Sequence, residues 1–202
     1  MKSIKQILFL LIILLSSCTH AENTKNLPNI NEKVATFAGG CFWCLQPSFD
    51  ELDGVTKTFV GYAGGKTPNP TYQDVGTGKS GYIESIEIYY DSTKINFEKL
   101  LEVYWQNIDP TDAGGQFADR GPQYQPVIFF HDEEQKQKAQ SAKEALSASN
   151  KFSKPIVVEI RQYTNFYPAE EYHQEYYKKN AIRYKLYKKG SGREDFIQKH
   201  WK

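Results

Sequence analysis

The chain has 202 residues, of which 40% are hydrophobic and 24% are charged, and this size and composition fit one globular domain with appendages. The formal net charge of +1 gives no electrostatic basis for a polybasic membrane patch or for binding nucleic acid, so we expect no nucleic-acid partner. Three cysteines are too few for a disulfide-stabilised secreted scaffold, so a chemical role for them is the better hypothesis.

Residues 1–17 have the form of a signal peptide. Two lysines precede a nearly unbroken apolar run from Ile7 to Leu15, which is shorter than the roughly 20 residues that a membrane-spanning helix needs. The segment ends in Leu-Ser-Ser-Cys and resembles the bacterial lipoprotein signal, in which this cysteine, Cys18, is lipidated and becomes the first mature residue. Two interpretations of Cys18 stay open: a lipidated residue, and a free cysteine beside an ordinary cleavage site.

The lipoprotein interpretation defines three parts of the chain. Acyl chains on Cys18 would anchor the protein in a membrane. Residues 18–32 are polar and predict a tether, and residues 33–202 then form a single domain. We therefore expect a monomer at the bacterial cell envelope, facing the periplasm or the exterior.

Beyond the tether, the hydrophobic pattern alternates short strands and helices. In chain order it predicts a strand at 33–40, a helix at 41–54, strands at 55–65 and 82–91, a helix at 96–110, a strand at 126–131, a helix at 132–149, a strand at 156–163 and a short helix at 169–180. Gly-rich loops fall at 66–81 and 109–125, and an aromatic, basic tail follows. The order β-α-β-β-α-β from Val34 to His131 predicts an α+β fold with a ferredoxin-like split βαβ core and a mixed sheet.

Several residues predict where the helices begin. Asn96 can cap the helix at 96–110, and Asp132 and Gln135 have the spacing of a capping pair. Pro47 is not expected deep inside a helix, which allows its helix to begin later than Cys41.

The segment Gly-Gly-Cys-Phe-Trp-Cys, residues 39–44, holds two of the three cysteines. A structural zinc site needs four ligands, and the sequence has neither a second cysteine pair nor histidines in paired spacing, so we expect no metal. His131 and His173 are interpreted as structural hydrogen-bonding residues.

A redox role fits Cys41 and Cys44 better. Two residues three apart in a helical turn have Cα atoms near the usual disulfide separation of about 5.5–6 Å. A cysteine at a helix N-terminus is also favoured as the thiolate. Thioredoxin-like dithiol exchange is one outcome, although nothing marks Pro126, which opens a later strand, as the cis-proline of that plan.

Glu84 is a candidate proton donor. In the strand at 82–91 it shares a face with Ile86 and Ile88, and this is the better candidate for a buried face. Burial raises the pKa of a carboxyl group and lets it keep a proton near neutral pH. The alternative is a glutamate at the strand end that reaches solvent.

Four segments together resemble peptide methionine sulfoxide reductase of the A class: GCFWC, GYAGGKTPNPTYQDVGTGKSGYIE, DPTDAGGQFADRGPQY and YPAEEYHQEYY. The resemblance covers residues 34–180. It implies an enzyme that reduces the S epimer of methionine sulfoxide, free or in proteins, and we expect no cofactor. It also implies that Cys41 attacks the sulfoxide sulfur and that Glu84 protonates the sulfoxide oxygen.

The resemblance implies a substrate pocket with one apolar and one polar side. Phe42 and Trp43 would form the wall around the ε-methyl group. Tyr72 and Tyr124 would donate hydrogen bonds to the sulfoxide oxygen, and Asp119 would order the polar side. A sulfoxide suits such a pocket because its polar S–O group lies beside an apolar methyl group.

The sequence departs from a common family pattern at Cys44. Attack leaves Cys41 as a sulfenic acid, which must be reduced. Many members have glycine after the tryptophan and keep resolving cysteines in the C-terminal tail, whereas residues 181–202 contain none. We therefore expect a Cys41–Cys44 disulfide that an external thioredoxin-like donor opens; alternatively, the donor reduces the sulfenic acid directly and Cys44 lines the pocket. A second departure is Tyr82, where the family often has histidine.

Three hypotheses follow. The first is a lipid-anchored sulfoxide reductase that repairs envelope proteins after oxidative stress. The second is a membrane-tethered dithiol exchanger, which would need both cysteines and not Glu84. The third is a surface lipoprotein that binds a ligand in an aromatic cleft and tolerates loss of Cys41.

Overall fold

The computed structural model describes residues 30–202, so the predicted signal peptide, Cys18 and most of the tether lie outside the described residues. The helices and strands in chain order are β1 (Glu32–Ala38), α1 (Phe42–Asp50), β2 (Val55–Ala63), α2 (Tyr72–Gly76), β3 (Ile83–Asp91), α3 (Phe97–Gln106), β4 (Gly115–Gln116), β5 (Asp119–Arg120), β6 (Val127–Phe130), α4 (Glu133–Ala148), β7 (Glu159–Gln162), β8 (Phe166–Pro168), α5 (Tyr176–Lys179), α6 (Ala181–Gly190) and α7 (Arg193–Trp201). Within this part of the chain, no helix has the length and apolar character needed to cross a membrane.

The main sheet has six strands in the order β7-β6-β1-β3-β2-β8. Strand β3 pairs antiparallel with both β1 and β2, and β6 pairs antiparallel with β1, whereas β6 and β7 are parallel. The four strands β6-β1-β3-β2 with α1 and α3 form the split βαβ arrangement, so the predicted α+β fold with a mixed sheet is confirmed. Strands β4 and β5 form a separate small hairpin.

The core lies on both faces of the main sheet. Ile86 and Ile88 of β3 pack with residues of α1, α3 and α4, as the alternation predicts. The opposite face is covered as well, because Ile83 packs against β6, Tyr163 and Phe166. Glu87 on that face is 7% exposed and accepts hydrogen bonds from the hydroxyl groups of two tyrosines. Glu84 therefore lies in a strand whose two faces are both protected from water.

The predicted helix caps are present. The Asn96 side chain accepts a hydrogen bond from the Lys99 N–H group at 2.9 Å, and Asp132 accepts one from Gln135 N–H at 2.7 Å. Helix α1 begins directly after Cys41 and includes the buried Pro47, so the later start that this proline allowed is not observed.

Several segments differ from the predictions. The loop expected at 66–81 contains α2, the loop expected at 109–125 contains β4 and β5, and β8 is an additional strand. The helix expected at 169–180 is limited to α5, because residues 169–175 form turns that direct side chains toward α1 and β2. The aromatic, basic tail folds into α6 and α7, which pack against the rest of the domain through buried Tyr184 and Arg193. The tail helices thus depend on tertiary contacts rather than on a continuous apolar stripe.

Candidate active site

The sheet topology places the start of α1 beside the start of β3. Ala38, the last residue of β1, pairs with Ser85 of β3, and two glycines then connect β1 to Cys41. Glu84 precedes Ser85 and pairs with Tyr62 on its other side. The candidate nucleophile and the candidate acid, although 43 positions apart in sequence, therefore meet at one edge of the sheet.

Cys41 occupies the position before α1, and Cys44 lies in its first turn. Both are free thiols, and their residues are 6% and 1% exposed. Burial raises the pKa of Cys41, and the hydrogen bond that it donates to Cys44 raises it further. The same hydrogen bond lowers the pKa of Cys44. The helix N-terminus is expected to favour the Cys41 thiolate, whereas burial and the hydrogen bond to Cys44 raise the pKa of this thiol and act against that preference.

Glu84 lies under the first turn of α1. It is 3% exposed, and its Oε2 accepts a hydrogen bond from the Phe42 backbone N–H group at 3.2 Å. This bond satisfies one of the N–H groups that the first turn of a helix leaves without a partner. Desolvation raises the pKa of Glu84 to about 8, even though the Phe42 bond acts in the opposite direction. The predicted burial of Glu84 is confirmed, and the carboxyl group keeps a proton at neutral pH.

Phe42 and Trp43 belong to an aromatic cluster beside the two sulfurs. The indole ring of Trp43 stacks on Tyr176 with ring centroids 3.8 Å apart, and its N–H group donates a hydrogen bond to His173 Nδ1 at 3.1 Å. Phe42 is 1% exposed and contacts the His173 ring. His173 is thus a hydrogen-bonding residue as predicted, and it fixes the orientation of the wall.

The polar side of the site is formed by Tyr72, Asp119 and Tyr124. Burial raises the pKa of Tyr72 to about 12 and raises that of Tyr124 as well, and the charge of nearby Glu84 adds to both shifts. Asp119 Oδ1 accepts a hydrogen bond from the Tyr187 hydroxyl group, whereas its buried Oδ2 has no partner within residues 30–202. The tyrosine hydroxyls and the free carboxylate oxygen can therefore receive a polar group.

Side chains outside the predicted set hold this polar side in place. Glu170 accepts hydrogen bonds from the Tyr72 N–H group at 2.9 Å and from the Tyr62 hydroxyl group at 2.8 Å. Tyr82, at the position where the family often has histidine, lies over Gly65 and donates a hydrogen bond to the Thr67 carbonyl oxygen at 2.6 Å. This contact fixes the loop that leads to α2.

All predicted site residues that lie within residues 30–202 are close together in the structure. Cys18 lies outside the described region. Electrostatic interactions join Cys41, Cys44, Glu84, Asp119, Tyr72 and Tyr124, and the aromatic cluster closes the apolar side. No group of three or more His, Cys, Asp or Glu side chains in this described region could hold a metal ion. Tyr184, Tyr187 and Arg193 of the tail also contribute to the site, and the aromatic and basic composition of the tail is their only signal in the sequence.

Comparisons with known proteins identify the family of the chain. The sequence model of the family described as Peptide methionine sulfoxide reductase matches residues 33–202. Peptide methionine sulfoxide reductase MsrA of Listeria monocytogenes serotype 4b is 55% identical over 168 residues, which are 83% of this chain and 95% of that protein. The Bacillus pumilus protein of the same name is 54% identical over 170 residues, covering 84% and 96%.

Solved structures show the same fold. The reduced form of Mxr1 from Saccharomyces cerevisiae has a TM-score of 0.72 and 29% sequence identity, covering 79% of this chain and 91% of that one. Methionine sulfoxide reductase A of Corynebacterium diphtheriae has a TM-score of 0.68 and 30% identity, covering 78% of both chains. The chain is an oxidoreductase and belongs to the peptide methionine sulfoxide reductase family.

Proposed function

We propose that the chain reduces the S epimer of methionine sulfoxide, free or in proteins. Cys41 is the nucleophile, Glu84 is the acid and Cys44 is the resolving cysteine. The observation that carries the proposal is the position of Glu84: a buried carboxyl group that stays protonated at neutral pH and is bonded to the first N–H group after Cys41. A sulfoxide oxygen that leaves sulfur needs a proton donor of this kind.

In the first step, the Cys41 sulfur attacks the sulfoxide sulfur while Glu84 gives its proton to the sulfoxide oxygen. The S–O bond then breaks and methionine leaves as the thioether. Cys41 is oxidised from thiol to sulfenic acid, so the oxygen moves from substrate to enzyme and the Cys41 proton replaces the one that Glu84 gave. Burial raises the pKa of the Cys41 thiol, so its proton leaves as the attack on the sulfoxide sulfur takes place.

The pocket selects the substrate by its two sides. The hydroxyl groups of Tyr72 and Tyr124 donate hydrogen bonds to the sulfoxide oxygen, and Asp119 orders this polar side. Phe42 and Trp43 contact the ε-methyl group. A group that combines a strong acceptor with a small apolar methyl fits this arrangement, whereas the reduced thioether loses the polar contacts and is released.

Cys44 then attacks the Cys41 sulfenic acid, forms a disulfide and releases water. A donor of the thioredoxin class exchanges with this disulfide and restores both thiols. Mxr1 from Saccharomyces cerevisiae has been solved in complex with Trx2. In this chain, two residues separate Cys41 from Cys44, which permits a disulfide between them. A donor of the thioredoxin class reduces such a disulfide by thiol–disulfide exchange.

The cellular location is proposed from the N-terminal sequence. A lipid on Cys18 would hold the domain at the bacterial cell envelope, facing the periplasm or the exterior, where it repairs oxidised envelope proteins. Growth of cells with a labelled fatty acid tests it: wild-type protein should carry the label and Cys18→Ser should not, and an unlabelled wild type would contradict the anchor.

The catalytic roles are tested by counting methionine formed per enzyme from a peptide containing methionine sulfoxide, first without a donor and then with thioredoxin and its reductase. Wild type should form about one methionine without donor and many with it. Cys41→Ser should form none. Cys44→Ser should still form about one without donor, because its lost role comes after methionine is released.

Glu84→Gln is the variant that distinguishes a reductase from a dithiol exchanger. It keeps the shape of the side chain and the bond to the Phe42 N–H group, but it has no proton to give at neutral pH. We expect methionine formation to slow by about 10²–10⁴-fold, the usual value of a general acid. Full activity of Glu84→Gln or of Cys41→Ser would contradict the mechanism, whereas multiple turnover of Cys44→Ser at the wild-type rate would contradict only the resolving role.

A further inference from the structure

Arg193, the first residue of α7, has its side chain inside the domain. Its residue is 0% exposed, which is unusual for an arginine that takes part in none of the ion pairs within residues 30–202. One guanidinium nitrogen, Nη2, donates a hydrogen bond to the Gly39 carbonyl oxygen at 3.0 Å, and Nη1 donates one to the Asn107 carbonyl oxygen. The guanidinium carbon lies 4.6 Å from the centre of the Phe117 ring.

The guanidinium group lies directly against the turn that carries the two cysteines. A Cβ atom placed on Gly40 would lie 2.8 Å from Arg193 Nη2, so the side chain fills the space beside this glycine. The Gly39 carbonyl group that it binds is two positions before Cys41. The tail thereby places a positive charge beside the turn that leads to Cys41 and Cys44.

A buried cation without a carboxylate partner is costly, and carbonyl oxygens and an aromatic ring compensate this cost only in part. Such a group gains most from an anion that forms beside it. The buried Arg193 Nε atom has no partner in the described chain, so the guanidinium retains donor capacity. Both thiols lose a proton during the reaction, and Cys44 is the one whose pKa the Arg193 charge lowers. The hydrogen bond from Cys41 lowers the pKa of Cys44 more strongly, and burial acts in the opposite direction.

We propose that Arg193 is a positioning residue for the resolving step, in which its buried charge favours the thiolate form of Cys44 while its hydrogen bond to Gly39 fixes the turn before Cys41. The inference rests on the proposed function, since it needs a sulfenic acid on Cys41. In the step itself, the Cys44 thiolate attacks the Cys41 sulfur, the S–S bond forms and the S–O bond breaks. The departing hydroxide takes up the proton that Cys44 lost and leaves as water.

Arg193 is one of several charged or titratable groups that face Cys44. The others are Cys41, Glu84, Asp119, Tyr184, Tyr187 and Lys188. The acidic groups oppose the thiolate. Lys188 favours it together with Arg193, but Lys188 is partly exposed and pairs with Glu194 at 3.9 Å, so water and salt screen its charge. Arg193 is the favourable charge that solvent does not screen.

The test separates methionine release from disulfide formation in a single turnover without donor. Full-length enzyme is mixed with a peptide containing methionine sulfoxide and quenched with acid at successive times and at several pH values. Methionine is measured by chromatography, and mass spectrometry of the peptide that contains Cys41 and Cys44 distinguishes sulfenic acid from disulfide. Wild type, Arg193→Gln, Arg193→Lys and Arg183→Gln are compared, the last because Arg183 is an exposed arginine of the same tail.

In wild type we expect disulfide formation to reach half its maximal rate at a pH below about 8.5, the value for an ordinary cysteine. In Arg193→Gln we expect disulfide formation at neutral pH to slow by about tenfold, with its pH profile displaced upward by about one unit. Methionine release also slows, because the bond to Gly39 that holds the turn before Cys41 is lost, but the pH profile of this first step should not move. Arg193→Lys keeps the charge and should restore the profile of disulfide formation. Arg183→Gln should behave as wild type.

Two results would overturn the proposal. One is a wild-type profile with its half-maximum at or above the ordinary thiol value, a measurement that needs no variant to fold. The other is an Arg193→Gln protein whose profile for disulfide formation equals that of wild type, which would leave Arg193 a purely structural role. If wild type releases no methionine at all, the proposed function fails instead.

Discussion

Two carboxyl groups of the site have opposite pKa shifts because their surroundings differ. Glu84 receives one backbone hydrogen bond and is almost completely buried, so desolvation raises its pKa to about 8. Burial also acts on Glu170, but hydrogen bonds from Tyr72 and Tyr62 outweigh it and lower the pKa. Glu170 is therefore an anion that holds its neighbours in place, whereas Glu84 is an acid with a proton to give.

The two pocket tyrosines give the first prediction. Tyr72→Phe and Tyr124→Phe each remove one hydroxyl group from the polar side and leave the ring. If each hydroxyl donates a hydrogen bond to the sulfoxide oxygen as it gains charge, kcat/KM should fall by about tenfold for each variant, corresponding to about 1.4 kcal/mol. Steady-state kinetics with a methionine sulfoxide peptide and excess thioredoxin measures this.

Tyr172→Phe is the matched control. Tyr172 contacts the His173 ring but is 54% exposed, so loss of its hydroxyl group should leave kcat/KM within about twofold. A similar loss in all three variants would indicate a general disturbance of the aromatic cluster and would contradict specific contacts to the sulfoxide oxygen.

The sequence predicts those site residues whose positions follow from the pattern of their neighbours in the chain. Cys41 follows a strand and two glycines and precedes a helix, and the alternation in β3 assigns Glu84 to a buried face. Arg193 could not be found in this way, because an arginine in a basic tail has the pattern of a solvated residue. Its burial depends on how α7 packs against the turn at Gly39, and no local pattern encodes that contact.

At the level of elements, the turn from β1 to α1 is tightly packed. Gly40 has a φ of +81°, in the left-handed region that favours glycine. Gln116 of β4 packs against it from one side, and its side-chain amide bonds the Asp109 backbone at 2.7 and 2.9 Å. The turn is therefore held between Gln116 and Arg193, two residues remote from it in sequence.

The second prediction concerns this turn. In Gly40→Ala the new methyl group would lie 2.6 Å from Gln116 Cβ, and the backbone would also be strained. We expect a loss of about 2–5 kcal/mol in the free energy of unfolding, from the left-handed conformation and the forced repacking together. Urea denaturation followed by circular dichroism measures it, and methionine formation should fall as well because Cys41 is displaced.

Gly76→Ala is the control for this substitution. Gly76 is the last residue of α2, and a Cβ atom there would meet nothing within 4 Å. The alanine should stabilise the protein slightly, by up to about 1 kcal/mol, because it favours the helix. Equal effects of the two substitutions would contradict the account of the turn.

The elements that the sequence predicts correctly are those with a strong hydrophobic periodicity. Helix α3 has its apolar face and its Asn96 cap in the sequence, and its observed bounds fall inside the predicted segment. Strands β1, β2 and β3 also match to within a few residues. Helices α6 and α7 were not predicted, because few of their residues are buried and α7 begins after the Gly190-Ser191-Gly192 turn. Their stability comes from single buried side chains, which produce no repeating pattern.

For the molecule as a whole, the split βαβ topology explains why the reacting groups meet. Strand β3 lies between β1 and β2 and antiparallel to both, so its first residues lie beside the ends of the other two. Cys41 follows the end of β1, Tyr62 lies near the end of β2, and Glu84 lies near the start of β3. The tail then covers this edge of the sheet with Tyr184 and Tyr187 and removes the acid and both thiols from water. The low solvent access that makes Glu84 an acid is thus a property of the complete fold.

This burial has a consequence for stability, which is the third prediction. The folded state holds the Glu84 proton up to a pH of about 8, whereas the unfolded chain releases it near the ordinary value of 4.5. The contribution of Glu84 to stability is therefore fully present below pH 4.5 and is lost as the pH rises toward 8. Within this window, wild type should lose about 1.4 kcal/mol per pH unit relative to Glu84→Gln, which has no proton to release.

Urea denaturation of both proteins at pH 5, 7 and 9 measures this difference, and comparison of the two proteins cancels the titration of all other groups. Glu84→Gln should become progressively the more stable protein as the pH rises, although it is the less active one. Glu170→Gln provides a control of opposite sign, because the Glu170 pKa is lowered and its contribution is lost as the pH falls. A difference between wild type and Glu84→Gln that does not change with pH would show that the carboxyl group ionises freely in the folded protein. Desolvation of Glu84 would then account for neither its acidity nor the proton that the proposed mechanism requires.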